Sequence, residues 1–158
     1  MDRQLDRLYN RIQNLLQNGG LVYADDSGPV QRVQVRLNDG ESADGVDHLQ
    51  PYGLTNVPHE GAEHVTAFLG GNRDLPIVIL VGDRRYRLQP LETGDVALYS
   101  SGKNYAIMRA SGDIEVYGPA NTSIKTDGNL SIEAGGSIDI TSGGDTTITT
   151  GGNLNLNQ

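Results

Sequence analysis

The sequence contains no cysteine, which removes disulfides, thiolate metal sites and cysteine nucleophiles and leaves the redox compartment open. Long apolar runs are missing as well. The longest, Ile77 to Val81, is far too short to span a bilayer, and no stretch of signal-peptide character follows Met1-Asp2-Arg3-Gln4. The expectation is a soluble protein synthesised in the cytoplasm. Cations are scarce: 12 Lys and Arg stand against 20 Asp and Glu, a formal charge of -8. That balance disfavours phosphate-driven binding of nucleic acid and adsorption to anionic membranes. Apolar residues make up only 36% of 158 positions and aromatics 5%. Burial on this scale struggles against a backbone entropy of about 1 to 2 kcal/mol per residue. Either part of the chain is disordered or it borrows burial from other chains.

What the sequence does have is glycine, 21 in all, and pattern. Leu5, Leu8, Ile12 and Leu15 are spaced three, four and three apart among Arg, Gln and Asn, which predicts an amphipathic helix over residues 2–18 within an N-terminal segment 1–20. Asn18-Gly19-Gly20 is the expected stop. Residues 21–91 read as short strands between polar turns. Val33, Val35 and Leu37 alternate with polar residues, and His64 to Leu69 and Ile77 to Val81 are denser apolar runs. Little helical periodicity intervenes, so the expectation is a small antiparallel barrel such as an OB-fold. Residues 92–111 read as a linker leading to the last segment.

That last segment, 112–158, repeats. Gly128, Gly136, Gly144 and Gly152 fall eight residues apart, and Gly112 is in the same register sixteen residues upstream, with Ala120 between. Two and four residues after the glycines come Ile114 and Val116, Leu130 and Ile132, Ile138 and Ile140, Thr146 and Ile148, and Leu154 and Leu156; short polar residues fill the odd positions. Period-two alternation makes each octad a strand of about five residues, with glycines expected to supply positive backbone torsions at the corners. A single ribbon of this kind has nothing behind its apolar side. Two substantial apolar side chains per unit are too few to close a single-chain solenoid, whereas three copies around one axis would bury every aliphatic and leave no sheet edge along the shaft. The fold class expected is mainly β: a short N-terminal helix, an OB-fold-like barrel and a C-terminal triple-stranded β-helix, or β-prism, built by a homotrimer. Its core would be Ile114, Val116, Leu130, Ile132, Ile138, Ile140, Ile148, Leu154 and Leu156, with corners at Gly112, Gly128, Gly136, Gly144 and Gly152.

Beyond the octads, Leu49-Gln50-Pro51-Tyr52-Gly53-Leu54, Gly70-Gly71-Asn72-Arg73, Val81-Gly82-Asp83-Arg84-Arg85-Tyr86-Arg87 and Gly94-Asp95-Val96-Ala97-Leu98-Tyr99 carry a resemblance. The chain resembles the Mu-type baseplate spike of contractile phage tails, the baseplate assembly protein V family. The resemblance implies a virion protein of the tail baseplate, a homotrimer placed beneath the tail tube, with baseplate hub and tube proteins as partners and the host outer membrane as the structure it pierces. Related spikes commonly end in a His-x-His motif that holds a metal ion at the tip. No histidine follows His64, so that iron site is not carried over and no cofactor is expected. The point would be closed by residues beyond this sequence, by side chains or by a separate tip protein. A different class of function, a trimeric fiber or secretion-spike adaptor whose barrel binds cell-surface glycan or peptidoglycan, fits the same pattern.

Three constellations invite chemistry. His59, Glu60, Glu63 and His64 have the composition of a zinc hydrolase, but the histidines are five apart rather than four, and Pro58 and Gly61 oppose a helix. Asp39, Glu41, Asp44 and Asp47 could supply carboxylates to calcium, without the spacing of a known loop; a solvated acidic loop is expected. Arg84, Arg85 and Arg87 are expected to make ion pairs between domains or subunits. No nucleophile elbow or acid-base pair appears, and the chain is read as structural, not enzymatic.

Overall fold

The structure is a computed structural model that describes residues 5, 8, 9, 12, 15–37 and 40–156. It divides into two units, 1–120 and 121–158. Leu5, Leu8, Tyr9 and Ile12 are helical; the rest of the expected helix before Leu15 lies outside the described residues. From Leu16 the chain is extended, so the helix does not reach Asn18. Gly19 and Gly20 lie in a strand instead of ending a helix.

Five strands form a closed barrel: β1 (Leu16–Asp25), β2 (Arg32–Leu37), β3 (Ser42–His48), β4 (Glu63–Phe68) and β5 (Pro76–Gly82). Their order around the barrel is β1-β2-β3-β5-β4, and β4 closes onto β1. All neighbours are antiparallel except β3 and β5, which pair in parallel through Asp47 with Ile77 and His48 with Val78. The alternation in β2 sends Val33, Val35 and Leu37 inward, where Leu21, Val46, Ala62, Phe68 and Val78 complete the core. Four polar residues are buried with them, Gln31, His48, His64 and Thr66.

β3 was the hardest strand to see in the sequence because Asp44-Gly45 looks like a turn. Between the pairs Val33–Val46 and Val35–Ala43, β2 has one residue and β3 has two, so Asp44-Gly45 is a β-bulge, and Gly45 takes φ 64° to make it. Gly19 in β1 answers a different constraint. A Cβ there would lie 1.8 Å from the Arg36 carbonyl oxygen, so the two backbones approach at a distance only glycine allows.

The segment expected as linker and shaft entry, 92–111, supplies two strands of a second sheet, and the start of the octad segment supplies the third. β6 (Val96–Tyr99), β7 (Tyr105–Met108) and β8 (Ile114–Tyr117) form an antiparallel meander. Its two turns, Ser100–Asn104 and Arg109–Asp113, are each closed by backbone hydrogen bonds. Gly112 in the second has φ 97°. Asp95 fastens this sheet at its base: its carboxylate accepts from the backbone N–H groups of Ala110 (3.0 Å) and Glu92 (3.1 Å) and from Arg109 (3.2 Å). Those two N–H donors, more than Arg109, hold its pKa below the ordinary carboxylate range.

Residues 121–156 contain no strand among those described. Bends nevertheless recur in step with the sequence, at 127–128, 135–136, 143–144 and 151–152.

Candidate assembly face and the cleft behind it

The pairing of β6, β7 and β8 sorts their side chains onto two sides. Val96, Met108 and Ile114 are directly opposite one another, as are Leu98, Ala106 and Val116, so these six share one side. Every one is apolar, yet Ile114 is 75% exposed, Val116 70%, Val96 57% and Leu98 55%. A contiguous apolar sheet face left in water marks an interaction surface.

The same exposure runs through the octads. Leu130, Ile132, Ile138, Ile140, Ile148, Leu154 and Leu156 are all exposed within one chain, as are Ile114 and Val116 at the head of the series. The corners differ from expectation. Gly112 has the positive torsion, but Gly128, Gly136, Gly144 and Gly152 do not. Hydroxyl groups organise the bends instead: the N–H of Gly128 donates to Thr126 Oγ1 (3.1 Å), that of Gly144 to Ser142 Oγ (3.2 Å) and that of Gly152 to Thr150 Oγ1 (3.1 Å). The fourth corner, Gly136, has Ala134 at the corresponding position. A Cβ on Gly136 or Gly144 would meet nothing within 4 Å in the chain itself.

The other side of the β6–β8 sheet carries Tyr99, Tyr105 and Tyr117 in one row, with Tyr105 and Tyr117 stacked at 5.2 Å. A cleft of about 540 Å³ lies against these rings and the chain segment Arg85–Gln89. Three cations line it, Arg85, Arg87 and Lys103, and no carboxylate does. Arg85 is tied up: it donates to Asp83 (2.6 Å) and to the Glu60 carbonyl (2.8 Å) and lies over the Tyr86 ring. Arg87 and Lys103 make no ion pair among the described residues. Lys103 is the single non-glycine residue described with positive φ, 65°, a conformation that costs about 1–2 kcal/mol. On the same side of the sheet Glu115 accepts from Tyr105 Oη (2.6 Å) and from Arg109 (3.1 Å), which hold its pKa below the ordinary range.

The constellations seen in the sequence come apart in space. His59 lies in the turn before β4, where its Nε2 is 2.9 Å from Ser101 Oγ and its ring packs on Tyr86 at 4.7 Å. His64 lies inside the barrel. Its Nε2–H donates to the Arg36 carbonyl (3.2 Å) and its Nδ1 accepts from Thr66 Oγ1 (3.0 Å), so the neutral ring is fully satisfied. Burial lowers its pKa, and that of His48, whose Nδ1 donates to Gln31 Oε1 (2.8 Å). Among the described residues no group of three or more His, Asp or Glu could hold a metal. Of the acidic run, Asp44 and Asp47 point outward from β3, Asp47 facing Arg32, and Glu41 pairs with Arg73; Asp39 lies outside the described residues. Arg84 pairs with Glu63 (2.6 Å), within the same unit. Within one chain Arg84 and Arg85 bind inside their own unit rather than across domains, because β4 and β5 bring Glu63 opposite Gly82 and the turn after β5 returns to Asp83.

The barrel coincides with a family match: residues 19–85 fit the model described as Bacteriophage Mu Gp45, N-terminal. A protein of Escherichia phage Mu named baseplate puncturing device gp45 is 40% identical over 99 residues, 63% of this chain and 50% of that protein. A Mu-like prophage FluMu protein gp45 of Haemophilus influenzae is 31% identical over 99 residues, 63% of this chain and 54% of that protein. The chain therefore spans about half the length of the curated relatives it matches. With the family match on the barrel and both relatives agreeing, the chain is similar to the Mu-type baseplate spike proteins.

Proposed function

We propose that three copies of this chain assemble into the central spike of a contractile tail baseplate. The apolar side of the β6–β8 sheet carries this reading. Ile114 and Val116 belong both to that face and to the octad series, which continues to Leu156 with Thr122 and Thr146 at two of its inward positions. Three such faces turned to a common axis would bury each other and extend into a triple-stranded β-helix, whose ladders would pair the octad backbones that have no partner within one chain. Burying each Val, Leu or Ile contributes about 1.5–3 kcal/mol. The five-stranded Greek-key barrel above it supports the OB-fold reading.

In this reading the protein is structural: stiffness, not a reaction, is its activity, and no cofactor takes part. The name of the Mu relative, a puncturing device, supports a shaft that concentrates the force of sheath contraction on a small area of outer membrane. Its partners would be baseplate hub and tail tube proteins above and a separate tip protein below, with no nucleic acid, and its place the virion baseplate after synthesis in the host cytoplasm.

Mass in solution tests the assembly. The expected value is three times the 16.9 kDa of one chain. Leu98→Asp should lower it towards one chain, because three buried carboxylates around an axis would each be unpaired and would repel one another. A monomeric wild type, or a Leu98→Asp trimer of unchanged thermal stability, would overturn the proposal.

A further inference from the structure

We propose that the cleft on the tyrosine side of the β6–β8 sheet binds a short stretch of anionic polysaccharide. The inference goes beyond the spike reading and does not rest on three-fold assembly, since it concerns the side of the sheet opposite the apolar face.

The cleft has the volume of small-ligand sites, which run from about 300 to 1,000 Å³. Its walls are of two kinds. Tyr99 and Tyr117 are exposed residues, 45% and 48%, with one face of Tyr117 stacked on Tyr105, whereas the faces of Tyr86 are taken by His59 and Arg85. An aromatic face carries negative charge density and attracts the weakly positive C–H face of a sugar ring. Around these rings stand Arg87 and Lys103, without ion-pair partners among the described residues, and the polar groups of Ser101 and Gln89. The absence of carboxylates from the lining is notable in a chain of net charge -8. Asp83 and Glu115 stand behind the wall, bound to Arg85 and Tyr105, and leave Arg87 and Lys103 as the unpaired charges of the lining among the described residues. Such a site selects a ligand with flat apolar faces, many hydroxyls and dispersed negative charge, the chemistry of a uronate, phosphate- or sulfate-bearing saccharide. A long nucleic acid is disfavoured by repulsion from the rest of the chain, and a bare anion would not use the rings.

Calorimetric titration of the full-length chain with a heparin-derived tetrasaccharide at low ionic strength tests the site. Saturable binding is expected that weakens by about fivefold in Arg87→Gln, the size of one exposed charge contact, and likewise in Tyr99→Ala. Lys103→Gly is the companion variant: it removes the cation and relieves the positive φ, so its fold is safeguarded, and it too should weaken binding about fivefold. Maltotetraose, uncharged, should bind far less. Absence of binding, equal binding of maltotetraose, full competition by inorganic sulfate, tighter binding of a thymidine tetranucleotide or a tetraglutamate peptide, or affinity unchanged in all three variants would each overturn the proposal. Titrating Leu98→Asp beside the wild type separates the two readings: a Leu98→Asp monomer that still binds the saccharide retains the cleft, and a wild-type trimer that does not bind refutes the cleft alone.

Discussion

Gly19 and His64 meet inside the barrel, where an added Cβ on Gly19 would stand 1.8 Å from the Arg36 carbonyl and 3.0 Å from the imidazole. Gly19→Ala must part β1 from β2, and a loss of roughly 3 kcal/mol or more is expected in urea unfolding, since backbone cannot yield as a side-chain end can. The two buried imidazoles set a pH dependence. Both are held below the ordinary histidine range by burial, so the folded barrel keeps them neutral while the unfolded chain protonates them below about pH 6.5. The unfolded state then carries more protons, and stability falls as pH drops through that value. The urea midpoint should decline between pH 7.5 and pH 5 by about this linkage, and His64→Gln should flatten part of the decline. A midpoint independent of pH over that range would contradict the assignment. Asp83 and Asp95, whose pKa values are lowered by hydrogen bonds, act in a separate window: their contribution is present above about pH 4 and is lost as pH falls further.

At the scale of elements, the repeated corner invites a test. Three of four octad bends have a Ser or Thr hydroxyl two residues before the glycine, accepting its N–H, and the fourth has Ala134. Ala134→Ser should add the missing bond and stabilise by about 0.5–1 kcal/mol per chain, and Thr150→Val should remove one at similar cost, both read as shifts in melting temperature. β2, β4 and β5 are legible in the sequence, because alternation or dense aliphatics announce a strand with a buried side. β1 and β3 hid because their glycines do work that resembles stopping: Gly19 permits a close approach and Gly45 makes a bulge. The β6–β8 meander hid for another reason. Its apolar face alternates as a strand should, but Ile107, 3% exposed, is its one buried residue, and its four-residue strands are separated by polar turns that read as linker. The octads are legible from period alone, but at three of their corners a hydroxyl hydrogen bond takes the place of a positive torsion. Glycine there implied a positive torsion; the hydroxyl two residues earlier, plain in Thr126, Ser142 and Thr150, was the better signal. The cleft was not legible at all, since Arg87, Tyr99, Lys103 and Tyr117 come together only when the meander folds.

For the whole molecule, the eight-residue recurrence of bends makes length a counted quantity. Deleting residues 136–143 puts Gly144 where Gly136 stood and returns every later aliphatic to its side of the ribbon. Deleting 136–142 displaces the remainder by one residue and turns Ile148, Leu154 and Leu156 over to the polar side. The first variant should keep the protease resistance and the mass of the parent assembly less one octad per chain; the second should lose its C-terminal segment to limited proteolysis. Equal behaviour of the two would show that the register is idle. If they differ, a lineage of such chains can lengthen or shorten its reach by whole octads at little structural cost and by no other increment, so related shafts would differ in size as strings of beads do, by number and not by stretch.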